Sequence, residues 1–262
     1  MIEEKEIIFV TTTLYTECLE VQKSIIKRLF PESEYHAIDG TDVSKWPNSF
    51  FYWMEAVKKS SAKYFIHIDE DCFIVDKEEI MKAVSMLVDR YDIIGCPDGY
   101  HPPRESNPIA MNPFIMLGKT SIIKEMDIDM SVLRYTLDFD KYRWLGCYNW
   151  TNSAGFKFKH SFKDTFFYPH PIIGEFSFQD GKEPYYGFFW YLKERFYRFG
   201  YLYPHFDSDL KSTNPRIDSL SKDMAIHMWE SRNMDSDKEF YGLTAKQRFE
   251  NIKIYLKEKG IV

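Results

Sequence analysis

The chain has 262 residues, of which 44% are hydrophobic, so it can form a well-filled core in one sizeable α/β domain. Its net charge of −6 and its lack of a Lys/Arg block exclude nucleic acid as the main partner. The four cysteines show no metal-finger spacing, the first residues are charged, and no apolar run approaches about 18 residues. We therefore expect a cytoplasmic protein with reduced thiols and no transmembrane segment.

Predicted strands and helices alternate through the first part of the chain. Apolar runs and helical spacing predict them in this order: strand 7–12, helix 17–29, strand 35–38, helix 49–59, strand 64–68, helix 77–91 and strand 92–96. Such alternation is typical of βαβ units, in which successive strands lie parallel. We therefore predict an α/β fold with a mostly parallel central sheet flanked by helices.

The rest of the chain is less regular. Residues 97–113 include five prolines, whose fixed φ and missing N–H oppose regular structure, so we predict a loop over one edge of the sheet. Residues 135–205 are dense in aromatic side chains and show no clear period before 185–199. Further patterns predict a strand over 114–118, a helix over 120–126, a mobile polar loop or lid over 207–223, a strand over 224–229 and a helix over 244–259. In this last helix, Thr244 and Gln247 have capping-box spacing, and Phe249, Ile252 and Leu256 form an apolar stripe.

Three consecutive carboxylates follow the predicted strand 64–68. Asp69, Glu70 and Asp71 would repel one another, so a positive charge is expected beside them. Side chains two residues apart on a strand point to the same side, and ligands of α/β proteins bind at the carboxyl ends of parallel strands. The sequence therefore predicts that Asp69 and Asp71 bind a divalent cation. The alternative is a solvated turn or the acidic N-cap of the next helix.

The order strand, helix, strand, helix, strand ending in Asp-x-Asp resembles the nucleotide-sugar glycosyltransferases of the GT-A fold. The resemblance rests on residues 64–73 for the metal motif, on 7–12 and 35–40 for the donor half, and on 225–229 for a late metal ligand. It implies a single GT-A-like, Rossmann-type domain. A nucleotide-sugar-binding half would cover about 1–100, and an acceptor-binding half with the C-terminal helix about 101–262.

The resemblance also implies a metal site. Mn²⁺ or Mg²⁺ would bridge the two phosphates of the donor, with Asp71 as a direct ligand and Asp69 on the metal, its bound water or the ribose. Glu70, between them, joins the predicted donor-binding set. His227 matches a late histidine ligand by position, and an imidazole favours Mn²⁺. The alternative for His227 is a core histidine hydrogen-bonded to a backbone carbonyl.

Polar residues at the ends of the first two strands are candidates for nucleotide binding. Thr11 and Thr12 end the first strand, and Asp39 ends the second. Base and ribose lie at such positions in switch-point α/β folds, and the resemblance implies the same. Ordinary strand-to-helix capping and a plain turn at Asp39 and Gly40 are the alternatives.

The catalytic base is sought in the second half of the chain. Inverting members of the resembled family use an acid there, and Asp180 and Glu183 precede a predicted helix as that role requires. Both could instead be N-terminal acids that stabilise the helix dipole. Asp138 and Asp140 are further candidates. Retaining members need no such base, so the stereochemical outcome stays open.

Other residues could contact the donor or the acceptor. Aromatic rings can stack on an acceptor sugar, although core packing is the more common use of such residues. The candidates are Trp144, Tyr148, Trp150, Tyr185, Tyr186 and Trp190. Lys211, Arg216 or Arg232 could contact the diphosphate, and ordinary solvated side chains are the alternative.

These features favour a metal-dependent glycosyltransferase. It would transfer a sugar from a nucleotide donor, expected to be a UDP-sugar, to a saccharide or lipid-linked saccharide acceptor. One alternative is a haloacid-dehalogenase-like phosphatase, which also ends a strand in Asp-x-Asp and binds Mg²⁺. Its motif fits less well, because Cys72 and Phe73 follow the acids here. The other alternative is a carbohydrate-binding protein without enzymatic activity.

Overall fold

The computed structural model of the protein describes residues 2–40, 49–98, 110–126, 156–161, 173–178, 185, 188–189, 191–192 and 195–262. The helices are α1 Thr16–Leu29, α2 Ser49–Lys59, α3 Lys77–Asp89, α4 Thr120–Lys124 and α5 Ala245–Glu258. The strands are β1 Ile7–Thr13, β2 Glu34–Asp39, β3 Tyr64–Ile68, β4 Cys72–Ile74, β5 Ile93–Pro97, β6 Met111–Lys119, β7 Phe156–Ser161, β8 Ile173–Phe178, β9 Phe199–Tyr201, β10 Tyr203–Asp207, β11 Ser212–Arg216, β12 Ala225–His227, β13 Glu239–Phe240 and β14 Leu243–Thr244. None of the described helices combines the length and the apolar character that crossing a bilayer requires.

The central sheet has the strand order β2-β1-β3-β6-β5-β9. Only β6 runs antiparallel to its neighbours, so the α/β prediction with a mostly parallel sheet is confirmed. Alternate side chains of β1 enter two different cores, Phe9 with α1 and α3, and Val10 with α2 and α4. Helices therefore cover both faces, and the carboxyl ends of β1, β2 and β3 meet at one edge.

A second, antiparallel sheet has the order β10-β11-β12-β4. Helix α5 packs on it, with the ring of Phe249 stacked 5.8 Å from that of Phe73. The predicted capping box forms between Thr244 and Gln247, and the predicted stripe of α5 is buried. This sheet brings the distant strand β12 beside the end of β3.

The prediction of a mobile loop over 207–223 is wrong. Its middle is strand β11, in which Ser212, Thr213 and Asn214 are at most 1% exposed. The polar side chains are buried because they bond to one another: Asn214 Nδ2 donates to Asp223 Oδ2 at 2.9 Å, and Arg216 binds the same carboxylate. A polar composition therefore does not imply solvent exposure here.

The predicted loop over 97–113 is also too long at its end, because β6 begins at Met111. The pairing of β5 with β6 shifts register between Gly95 and Cys96. Pro113 lies in the stretch of β6 that this irregularity leaves out of the ladder, where its missing N–H breaks no strand pair. Residues 99–109 lie outside the described residues.

An ion-pair cluster lies at the edge of the central sheet where the parallel strands begin. Asp92 accepts hydrogen bonds from the backbone and side chain of Arg198 and from Lys119 at 2.7 to 3.1 Å. Burial opposes the charge, but these bonds lower the pKa of Asp92 to about 2. Because the pKa is depressed in the folded state, the stabilisation is present above about pH 4 and is lost as the pH falls toward 2.

We expect Asp92→Asn to lower the free energy of unfolding by about 1 kcal/mol at pH 7, after allowance for solvent screening. The difference from wild type should shrink as the pH falls from 5 to 3. Urea denaturation at several pH values measures both effects. Asp89→Asn is the matched control, since only its backbone carbonyl binds Arg198. A difference that does not change with pH would contradict the role of the Asp92 charge.

Candidate metal and donor site

The acidic motif lies on a tight turn between the two sheets. Strand β3 ends at Ile68, and the N–H of Cys72 donates to the carbonyl of Asp69 at 3.0 Å. The chain then enters β4, where Cys72 lies directly opposite His227 of β12. The turn therefore carries the acids from the edge of the central sheet to a histidine more than 150 residues away in sequence.

Asp69, Asp71 and His227 form a three-residue cluster. Each offers one ligand atom, and these atoms lie within 4.8 Å of one another. Asp71 and His227 are buried, with Nε2 of His227 3.2 Å from Oδ1 of Asp71, whereas Asp69 is partly exposed. Two carboxylates and one imidazole would suit Mn²⁺ or Mg²⁺. The structure thus brings together all three predicted metal ligands.

His227 differs from an ordinary core histidine. Its ring stacks on Phe114 at a centroid distance of 4.2 Å and an angle of 8°, which fixes its orientation. Among the described residues, its buried Nδ1 has no hydrogen-bond partner. His67 shows the other behaviour: its Nδ1 lies 2.7 Å from the carbonyl oxygen of Pro113, and burial lowers the pKa of His67 to about 4. The fixed ring and the position of Nε2 beside Asp71 fit His227 to a ligand role, and the backbone contact fits His67 to a structural one.

The carboxylates of the cluster differ in their electrostatics. Although Asp69 is partly exposed, desolvation of its carboxyl group, followed by the charges of Asp71 and Glu70, raises the pKa of Asp69 well above its usual range. Burial also acts against the charge of Asp71, but His227 and hydrogen bonds from Ser231 outweigh it and lower the pKa of Asp71. Without a cation, Asp71 is therefore the more stable carboxylate of the two, and Asp69 is the more readily protonated one.

Glu70 joins the acidic turn to the loop after β1. Its Oε2 accepts hydrogen bonds from the N–H groups of Leu14 and Tyr15 at 2.5 and 2.7 Å and from the hydroxyl of Thr13 at 2.8 Å. Its Oε1 accepts from the hydroxyl of Ser231 at 3.2 Å. Burial raises the pKa of Glu70, against these hydrogen bonds. The contacts give Glu70 a positioning role, while its predicted contact with the donor stays a prediction.

A strained turn follows His227 and closes over Asp71. Trp229 and Glu230 have φ values of 64° and 58°, a left-handed conformation that costs a non-glycine residue about 1–2 kcal/mol. The turn places the N–H of Ser231 3.1 Å from Oδ2 of Asp71, and the N–H of Met228 donates to the carbonyl of Asp71. Sequence reasoning missed Ser231, because neither its type nor its spacing marks it.

No protein-family model matches the chain, and no curated protein matches it either. An active-site mutant of LgtC aligns over 97% of this chain and 99% of its own, at 11% identity and a TM-score of 0.46. The galactosyltransferase LgtC with donor and acceptor sugar analogs aligns over 52% of this chain and 64% of its own, at 10% identity and a TM-score of 0.36. A glycosyltransferase involved in glycosylation of the major capsid of PBCV-1 aligns over 48% and 64%, at 9% identity and a TM-score of 0.35.

The predicted nucleotide-binding residues lie at the same edge as the acids, in different environments. Thr11 is fully buried, and its hydroxyl has no partner among the described residues. Thr12 is partly exposed and Asp39 is exposed, and β1 and β2 pair there in parallel, with Thr13 opposite Asp39. A Cβ on Gly40 would approach the carbonyl oxygen of Thr13 to 2.8 Å, so only glycine fits beside the end of β1. Thr12 and Asp39 are therefore the more accessible of the three candidates.

Gln22 is a second residue that sequence reasoning missed. From helix α1, its Nε2 donates to the carbonyls of Asp69 and Cys72 at 2.6 and 3.0 Å, and its Oε1 accepts from the hydroxyl of Tyr35. It is fully buried. Its signal in the sequence is a polar amide on the apolar stripe of α1, four residues after Cys18.

A polar cluster lies at the same edge, where β5 ends and β6 begins. The buried carboxylate of Asp98 accepts hydrogen bonds from Asn112 at 3.2 Å and from the hydroxyl of Tyr185 at 3.1 Å. Tyr185 is only 4% exposed, so the core interpretation holds for this aromatic residue. The other aromatic candidates lie outside the described residues: Trp144, Tyr148, Trp150, Tyr186 and Trp190.

The remaining candidates are scattered. Arg216 is bound to Asp223 in the second sheet, and Lys211 lies at the tip of the hairpin between β10 and β11. Arg232 is exposed next to Ser231. Asp138, Asp140, Asp180 and Glu183 lie outside the described residues, so the predicted catalytic base stays a prediction.

Proposed function

We propose that this protein is a metal-dependent glycosyltransferase of the GT-A type. It would transfer a sugar from a nucleoside diphosphate donor to a saccharide or lipid-linked saccharide acceptor. The observation that carries the proposal is the cluster of Asp69, Asp71 and His227, whose ligand atoms lie within 4.8 Å at the carboxyl edge of a mostly parallel sheet. Ligands bind at that edge in open α/β folds.

The residues around the cluster would prepare it for a diphosphate. A divalent cation held there would neutralise the negative charge that grows on the departing nucleoside diphosphate. Asp69 and Asp71 supply the charge for such an ion, and His227, as a neutral imidazole, favours Mn²⁺ over Mg²⁺. Gln22 and Ser231 hold the turn and the Asp71 carboxylate in place, so little reorganisation is needed when the donor binds.

The loop after β1 and the end of β2 would hold the nucleoside. We assign Thr12 and Asp39 to base and ribose, and we propose UDP as the nucleotide on the basis of the family resemblance. Thr11 and Glu70, with its link to the β1 loop, belong to the same proposed donor-binding set. Asp180 or Glu183 is the proposed base for the acceptor hydroxyl. A cytoplasmic location is part of the proposal.

The test is thermal denaturation with UDP, GDP, CMP and their sugars, each with Mn²⁺ or with EDTA. A ligand at about 100 times its dissociation constant adds about 2.7 kcal/mol, which corresponds to a rise in Tm of roughly 5–10 °C for a chain of this size. We expect one nucleotide family to produce this rise, and only with Mn²⁺. Release of the nucleoside diphosphate from the matching sugar donor then measures activity.

Two outcomes would contradict the proposal in different ways. Hydrolysis of p-nitrophenyl phosphate, with no shift by any nucleotide, would favour the phosphatase. Saccharide binding without nucleotide binding would favour a carbohydrate-binding protein whose acids hold a structural cation.

A further inference from the structure

The strained turn after His227 is anchored from two sides. The indole N–H of Trp229 donates to the hydroxyl of Thr213 at 2.7 Å, on strand β11. The carbonyl of Trp229 accepts a hydrogen bond from Nη2 of Arg248, on helix α5, at 3.0 Å. Without such anchors, two successive left-handed residues other than glycine would relax to ordinary conformations. The anchors therefore determine where Ser231 lies.

Arg248 is an unusual residue for this position. It is 1% exposed and belongs to the buried stripe of α5. Its Nη1 donates to the carbonyls of Phe240 and Leu243 at 3.0 and 2.9 Å. Within the described part of the chain, no acidic side chain forms an ion pair with it. A buried guanidinium that bonds only to backbone carbonyls fixes the path of the chain, because Trp229 lies in the left-handed turn and Phe240 and Leu243 flank the turn between β13 and β14.

We propose that Arg248 is a positioning residue for the metal site. By holding the carbonyl of Trp229, it keeps the left-handed turn in place, so that the N–H of Ser231 stays on Asp71. The same turn leads directly out of His227, so its path also limits the position of the imidazole. The inference rests on the proposed function for the identity of the ion, and it assigns a new role to a residue that touches neither metal nor substrate.

The direction in which cation affinity changes when Arg248 is replaced distinguishes this role from a purely electrostatic one. Arg248 carries a positive charge in the neighbourhood of Asp71 and Glu230. If that charge were its only effect on the site, removing it would strengthen cation binding. If Arg248 acts by positioning the turn, removing it weakens cation binding. A residue needed only for folding would lower the Tm and leave the affinity of the folded protein unchanged.

The experiment is a titration of the full chain with Mn²⁺, followed by the EPR signal of the free ion, without nucleotide and well below the Tm of each variant. We expect Arg248→Met to weaken Mn²⁺ binding about 10-fold, the lower end of the range for loss of a ligand's direct hydrogen-bond partner, because Arg248 acts on the ligands through the turn. Arg248→Lys keeps the charge but cannot reach all three carbonyls, so a smaller loss is expected. Arg198→Met is the matched control: this arginine braces Asp92 at the opposite edge of the sheet, and its loss should lower the Tm only.

Each outcome has a separate meaning. If the wild-type chain binds no Mn²⁺, the proposed function fails together with the inference. If the wild type binds Mn²⁺ and Arg248→Met binds it equally well or more tightly, only the inference is overturned. If Arg248→Met does not fold, Thr213→Val decides, because it removes the other anchor of the same turn with little change in volume. An Mn²⁺ affinity that Thr213→Val leaves unchanged would then overturn the inference.

Discussion

Asp71→Asn is expected to abolish metal binding while leaving the fold intact. Asparagine has the same shape as aspartate, and it can keep both contacts of Asp71: its Oδ1 can accept from the N–H of Ser231, and its Nδ2 can donate to Nε2 of His227. What it loses is the charge and one ligand oxygen. We therefore expect the Mn²⁺ affinity to fall by more than the roughly 10- to 100-fold that follows loss of a ligand's hydrogen-bond partner.

The measurement is the Mn²⁺-dependent rise in Tm with the matching nucleotide, together with calorimetric titration of Mn²⁺. The rise should vanish in Asp71→Asn, and the Tm with EDTA should fall by a few degrees, because the charge that His227 and Ser231 stabilise is lost. Asp209→Asn is the matched control, since Asp209 is exposed in the hairpin between β10 and β11. An unchanged nucleotide shift in Asp71→Asn would remove Asp71 from the site and with it the metal-based proposal.

Asp69→Asn is expected to raise the stability of the metal-free protein. Burial and the charges of Asp71 and Glu70 raise the pKa of Asp69 in the folded state, and no hydrogen bond to its carboxylate is found among the described residues. The folded protein therefore binds more protons than the unfolded chain once the pH passes about 4, and its stability falls as the pH rises from there toward the folded-state pKa. Asparagine carries no charge and removes this cost.

With EDTA at pH 7.5, we expect Asp69→Asn to melt roughly 2–4 °C above wild type, the effect of about 1 kcal/mol for a chain of this size. The gap should close as the pH falls below about 4, because Asp69 then becomes protonated in both states. Mn²⁺ should raise the Tm of wild type and leave that of the variant unchanged. A variant that melts below wild type with EDTA at pH 7.5 would show that Asp69 is not electrostatically strained.

Replacing Asp69 is expected to raise the stability of the metal-free protein and to weaken cation binding, and both effects have one cause. The charge of Asp69 is opposed by desolvation and by the neighbouring charges of Asp71 and Glu70 until a cation binds, so ion binding relieves an unfavourable interaction in the site. Functional sites often contain such unfavourable interactions, and the rest of the fold must supply the stability that they cost. The large apolar cores on both faces of the sheet provide that compensation here.

The elements of the first half were predictable because their signals are local. Strand β3 and helix α2 have the bounds that apolar runs and helical spacing predict. The predicted loop over 207–223 failed for the opposite reason, since its polar residues are paired with partners that only the tertiary structure supplies. Asn214 looks solvent-exposed in the sequence and is 1% exposed in the fold because it donates to Asp223.

The sequence by itself determined the α/β class and the place of the acids, because side-chain periodicity and a run of three carboxylates are properties of neighbouring residues. Only the tertiary structure decided that the acids lie on a turn between two sheets, and that Gln22, Ser231 and Arg248 hold the cluster. These contacts join residues far apart in the chain, and hydrogen bonds to backbone carbonyls and N–H groups leave no pattern in the order of the side chains. His227 stands between the two cases: its position matched a family resemblance, and the pairing of β12 with β4 placed its imidazole beside Asp71.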